Sequence, residues 1–143
     1  MIYSYIYSSK TNKAFTLEEL LVLQKEAATK NKEHDVTGYL TFKNDIFFQY
    51  IEGPEKEIKQ LIKNIENDHR HGISNSFILP VREERVFGGW SMRYIDFNSL
   101  VEIGFHELLE TVFFTIDNQL FSNQEVAKKI NRMLLKIADN IND

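Results

Sequence analysis

Apolar and polar residues alternate from Met1 to Ser8: Met1, Tyr3, Tyr5 and Tyr7 share one side, and Ile2, Ser4, Ile6 and Ser8 the other. A period of two predicts a strand. After the loop SSKTNKAF the period changes. Thr16-Leu17-Glu18-Glu19 has the capping-box pattern, and Leu17, Leu20, Leu21, Gln24, Ala28 and Asn31 fall on one helical stripe, so a helix is predicted to about Lys30. Val36–Phe42 and Ile46–Ile51 read as strands joined by a turn at Lys43-Asn44-Asp45, a hairpin. Gly53-Pro54 opens a second helix, with Pro54 at its first position and a stripe of Ile58, Leu61, Ile62 and Ile65. Asn75–Val81 and Trp90–Phe97 are a predicted fourth and fifth strand. Helical spacing returns over Ser99–Ile116. A second capping box, Ser122-Asn123-Gln124-Glu125, starts a helix carrying Val126, Ile130, Met133, Leu134 and Ile137.

The order β-α-β-β-α-β-β begins with the split βαβ arrangement of ferredoxin-like folds, an α+β class. Both helices are expected on one face of the sheet. Strand three is apolar on both faces, so the C-terminal helices are expected to cover the second face. Residues 1–97 form the expected core, and 98–143 a helical extension of the same unit. The length of 143 residues and a hydrophobic fraction of 43% suit one domain with a sizeable core. A net charge of −4 without a basic run argues against nucleic acid and anionic membranes as partners. There is no cysteine, so disulfides and thiolate chemistry are excluded. No stretch of about 18 apolar residues exists to span a membrane, and the N-terminus lacks a secretion signal. The expected location is the cytoplasm.

Against this pattern some polar residues stand out. In FFQYIEGP, Gln49 interrupts Phe47, Phe48, Tyr50 and Ile51 with an amide that both donates and accepts. A buried amide without partners costs roughly 1–3 kcal/mol. Tyr7 closes one face of strand one, Asn31 ends the buried stripe of the first helix, and Asp68 extends the stripe of the second. In a split βαβ fold strands one and three are neighbours beneath both helices. Tyr7, Asn31, Gln49 and Asp68 are therefore expected to line one slot between the helices, suited to a polar ligand.

The same residues carry a resemblance. YIYSS around Tyr7, Asn31 followed by DVTGYL, FFQYIEGP around Gln49, NDHRH from Asn67 to His71, and FGGWSMRY from Phe87 to Tyr94 occur in the order and spacing of BLUF domains. These are blue-light sensors using FAD, and the likeness covers about residues 1–97. It implies that Gln49 bridges Tyr7 and the flavin ring, that Asn31 and Asp68 bond the ring's pyrimidine edge, and that Arg70 and His71 lie beside its ribityl and phosphate portion. Asn64 stands where some members carry an arginine, which leaves FMN or another flavin as an alternative to FAD.

The resemblance further implies a mechanism. Light drives an electron and a proton from Tyr7 by way of Gln49, and the altered amide signals through strand five. Trp90 and Met92, two apart on that strand, are expected to share a face, and the resemblance implies that one of the two, either Trp90 or Met92, sits near Gln49. The signal is expected to reach the C-terminal helices, where Phe105, Phe113, Phe114, Leu120 and Phe121 offer surplus apolar surface for a homo-oligomer or a downstream protein. A short, non-enzymatic photosensor is the expectation. The alternatives are a cofactor-free interaction module and a small hydrolase on the same scaffold. No metal-ligand or nucleophile–base spacing favours the hydrolase.

Overall fold

β1 (Ile2–Thr11) and β3 (Ile46–Gly53) lie side by side in the middle of a five-stranded sheet of order β4-β1-β3-β2-β5. The structure, a computed structural model, describes residues 1–11, 16–43, 46–68, 71–102 and 122–140, with the backbone alone at Lys43, His71, Ser74 and Val101. The chain divides into two compact units, Met1–Ile95 and Asp96–Asp143. The remaining strands are β2 (Thr37–Lys43), β4 (His71–Arg82) and β5 (Arg93–Tyr94). The helices are α1 (Leu17–Glu33), α2 (Glu55–Glu66), α3 (Phe97–Glu102) and α4 (Asn123–Asn140). The architecture is α+β with the ferredoxin-like strand order. All pairings are antiparallel except β2–β5.

Local chemistry sets the helix starts. In α1 the Thr16 hydroxyl accepts from the Glu19 N–H, while the Glu19 carboxyl accepts from the Thr16 N–H, as the capping box requires. Ser122 and Glu125 do the same for α4. Pro54 differs from expectation. Its φ of −60° and ψ of 140° make it the N-cap of α2, and the helix begins at Glu55.

One face of the sheet is covered by α1 and α2. Tyr5, Tyr7, Val36, Leu40, Ile51, Ile58 and Met92 form its buried cluster, flanked by Ala27 and Ala28 from α1 and Leu61, Ile62 and Ile65 from α2. The buried stripe of α1 begins one turn later than the sequence spacing predicts: Leu20 and Asn31 are buried, but Leu17 is 59% and Leu21 45% exposed. On the opposite face Tyr39, Tyr50 and Phe87 make a mutual aromatic cluster with centroids 5.3–6.1 Å apart.

The predicted fifth strand, Trp90–Phe97, shrinks to Arg93–Tyr94, paired with Tyr39 and Leu40. Two residues later the Asp96 carbonyl accepts from the Ser99 and Leu100 N–H groups, and the chain turns into α3. β4 in contrast extends beyond the predicted Asn75–Val81 because ten-residue β1 offers partners from Ile2 to Thr11. In the second unit, Phe97 and Leu100 of α3 are buried, as are Val126, Ile130, Met133, Leu134 and Ile137 of α4. Most of the predicted helix Ser99–Ile116, with Phe105, Phe113, Phe114, Leu120 and Phe121, lies outside the described residues. Among the described residues no helix is long and apolar enough to cross a membrane.

Candidate functional site

Tyr7 and Gln49 are direct partners in the β1–β3 register, so their side chains leave the same face side by side. The Tyr7 hydroxyl donates to Gln49 Oε1. Gln49 Nε2 in turn donates to Met92 Sδ at 3.2 Å. The amide is therefore used at both ends, its oxygen by a phenol and its nitrogen by a thioether. Met92 is 1% exposed, and its backbone carbonyl accepts from Gln24 Nε2 at 2.7 Å.

Beside this chain of bonds lies a cavity of about 380 Å³, within the range of roughly 300–1,000 Å³ typical of small-molecule sites. Its apolar walls come from both helices and the sheet, among them Ala27, Val36, Leu40, Leu61 and Ile65. Tyr7, Gln49, Asn31 and Asp68 also line it, so the four residues singled out in the sequence share one cavity. Asn31 is 5% exposed. Ser9, two residues after Tyr7 on the same face, is another lining residue, and its buried Oγ has no hydrogen-bond partner among the described residues. At the rim, His34 Nδ1 lies 2.9 Å from Glu57 Oε2, which links the end of α1 to α2.

One expected contributor falls elsewhere. Trp90 does not share Met92's position at Gln49. Its ring stacks on Phe87 at 4.6 Å and lies under the Arg93 guanidinium at 4.8 Å. The physical reason is that both residues precede the short β5, so strand alternation does not govern them. His71 opens β4 opposite Thr11, and only its backbone is described; Arg70 lies outside the described residues. Sequence reasoning missed Gln24 as a site residue, although it stood with Asn31 as one of two polar members of the predicted α1 stripe. It also missed Ser9, for which alternation with Tyr5 and Tyr7 was the available signal.

The electrostatics keep Tyr7 protonated. Burial pushes its phenol well above the ordinary tyrosine value, with the nearby Tyr5 phenol and the Asp68 carboxyl adding to the shift. Burial also raises Tyr5, whose ring stacks on Tyr7 at 5.5 Å, and Tyr39 and Tyr50 on the other face. The stability these four contribute is fully present below about pH 10, where unfolded tyrosine is neutral too. It is lost as pH rises further, because the unfolded chain ionises before the folded one. The unfolding midpoint is thus expected to fall above about pH 10, with phenolate absorbance from Tyr7, Tyr39 and Tyr50 appearing only with unfolding. A phenolate signal from these three in a folded chain would contradict this.

Chemically, the cavity suits a flat heteroaromatic ring: apolar walls for its faces, and amide, carboxyl and hydroxyl groups for a polar edge carrying both carbonyls and N–H. Comparison with known proteins agrees. A family model described as BLUF, sensors of blue-light using FAD, matches residues 2–93. The blue light- and temperature-regulated antirepressor BluF of Escherichia coli (strain K12) is 30% identical over 96 residues, 67% of this chain and 24% of the relative. The chain thus spans about a quarter of that relative's length. The photo-activated state of BlsA superposes with a TM-score of 0.68 at 26% identity, covering 94% of this chain and 96% of the other. The dark-state structure of the BLUF protein BlrB shares the fold, with a TM-score of 0.65 at 22% identity over 98% of this chain and 97% of its own. The chain belongs to the BLUF family, the flavin-binding sensors of blue light using FAD.

Proposed function

We propose that light acts in this protein through Tyr7, Gln49 and Met92, and that the change leaves the site through the Trp90–Tyr94 segment. The observation that carries this reading is the bond sequence Tyr7–Gln49–Met92 along one wall of the cavity. The flavin ring, when bound, supplies a light-activated electron acceptor with a hydrogen-bonding edge. Asn31 and Asp68 hold that edge, and Arg70 and His71 serve the polar tail of the cofactor. Tyr7 would be the donor of the electron that this acceptor takes, and Gln49 Oε1 is placed to accept the phenolic proton and hand it back. The amide would be left in its second arrangement.

The amide is the switch because its two ends differ. With Oε1 toward Tyr7 and Nε2 toward sulfur, both bonds are made. Turned over, Gln49 presents an acceptor to a thioether that cannot donate, so Met92 is released. Met92 is flexible and repacks readily, and its neighbour Trp90 accepts from the Gly38 N–H through its carbonyl at 2.8 Å. The sensor core is residues 1–97, and residues 98–143 take up the signal. The chain acts as a cytoplasmic receptor that alters association with itself or with a downstream protein, not as an enzyme.

A dark and illuminated absorption spectrum of the flavin-loaded protein, with and without Tyr7→Phe, tests this. The wild type is expected to show a reversible red shift. Tyr7→Phe is expected to keep the flavin and lose the shift. A shift of ordinary size in Tyr7→Phe would remove Tyr7 from the mechanism.

A further inference from the structure

Met92 is held at two points. Its sulfur accepts from Gln49, and its carbonyl, at the entry to β5, accepts from Gln24 Nε2 at 2.7 Å across 68 positions of sequence. Gln24 sits half-buried on α1, the helix that also supplies Ala27 and Asn31 to the cavity. Methionine has three flexible side-chain torsions, so the sulfur stays within reach of Gln49 only while the backbone behind it is fixed.

We propose that Gln24 is a positioning residue for the light response: it anchors the Met92 backbone and thereby sets the balance between the two Gln49 arrangements. The inference rests on the roles given above to Gln49 and Met92. A thioether accepts but does not donate, so Met92 favours the arrangement with Nε2 toward it. That bias acts only when the sulfur is in place. Loosening the Gln24 anchor therefore weakens the dark arrangement without touching Tyr7, Gln49 or the cavity polar groups.

Two substitutions separate anchoring from packing. Gln24→Glu keeps size and shape, but an ionised carboxylate cannot donate to the Met92 carbonyl. Gln24→Lys changes the shape and still donates. A packing role ranks Glu above Lys, and anchoring ranks Lys above Glu.

The readout is the methyl NMR signal of Met92 in flavin-loaded protein carrying isotope-labelled methionine, one of three methionine signals, in the dark and under blue light. The wild type is expected to show one dark Met92 signal that moves on illumination. In Gln24→Glu the dark signal is expected to split or move toward the lit position, the lit-like form rising roughly two- to tenfold, the scale of one net hydrogen bond. Gln24→Lys is expected to keep the wild-type dark signal. A wild-type dark signal in Gln24→Glu, or equal disturbance by both substitutions, overturns the inference. A Met92 signal that light leaves in place in the unsubstituted protein refutes the underlying Gln49–Met92 reading instead.

Discussion

Replacing Glu52 with alanine is expected to lower stability by roughly 3 kcal/mol, one of the two largest losses available from a single side chain here. Glu52 is 0% exposed and lies on the face of β3 opposite Gln49. Its Oε1 accepts from the Tyr50 hydroxyl and the Val86 N–H, both at 2.9 Å. Its Oε2 accepts from the Phe87 N–H at 2.7 Å and the Thr37 hydroxyl at 3.2 Å. Alanine leaves those donors without their acceptor. Each unpaired buried donor costs about 1–3 kcal/mol. Val86 and Thr37 are only half-buried, so water can serve some of them and the sum stays near the low end. Arg85 holds the same turn from outside, through the Asp35 carbonyl at 2.7 Å and the Asp35 carboxyl at 3.1 Å, so the turn loosens but is not released. Urea unfolding followed by the fluorescence of Trp90, the single tryptophan, measures the loss directly. Glu52→Gln, which keeps one acceptor, should fall between alanine and wild type. If alanine costs under about 1 kcal/mol, the carboxyl is not what pins this turn.

The contrast between Glu52 and Gln49 explains what the sequence revealed. Tyr7 and Gln49 were legible because strand alternation and antiparallel pairing are periodic, so face and neighbour follow from position. Asn31 was legible for the same reason on a helix. Glu52 stood three residues from Gln49 in the same strand, yet two of its four partners are backbone groups of an irregular turn 34 and 35 positions away. No periodicity encodes such a contact. Gln24 was visible as a polar residue on an apolar stripe, but its partner is the Met92 carbonyl, and carbonyls carry no sequence signature. Trp90 was misplaced beside Met92 because alternation was extended beyond a strand that is only two residues long.

Gly38→Ala is expected to cost about 4 kcal/mol or more and to disable the site with the fold. Gly38 has φ of +150°, where a side chain is strained. A Cβ built there runs into the Tyr50 carbonyl oxygen, with the Tyr50 carbonyl carbon 2.9 Å and Ile51 Cα 3.2 Å away. Every one of these atoms is backbone of β3, a strand paired on both sides, so none can yield by turning a side chain. Relief requires β2 and β3 to part at the Gly38–Ile51 pair, two residues from Gln49. Parting also pulls the Gly38 N–H from the Trp90 carbonyl, to which it donates at 2.8 Å, and so shifts the segment that presents Met92. Flavin retention and the urea midpoint are therefore expected to fall together in Gly38→Ala. A variant that unfolds within about 1 kcal/mol of the wild type would mean the strand pair accommodates the methyl group, and the close packing of β2 on β3 would then not be what fixes Gln49 opposite Tyr7.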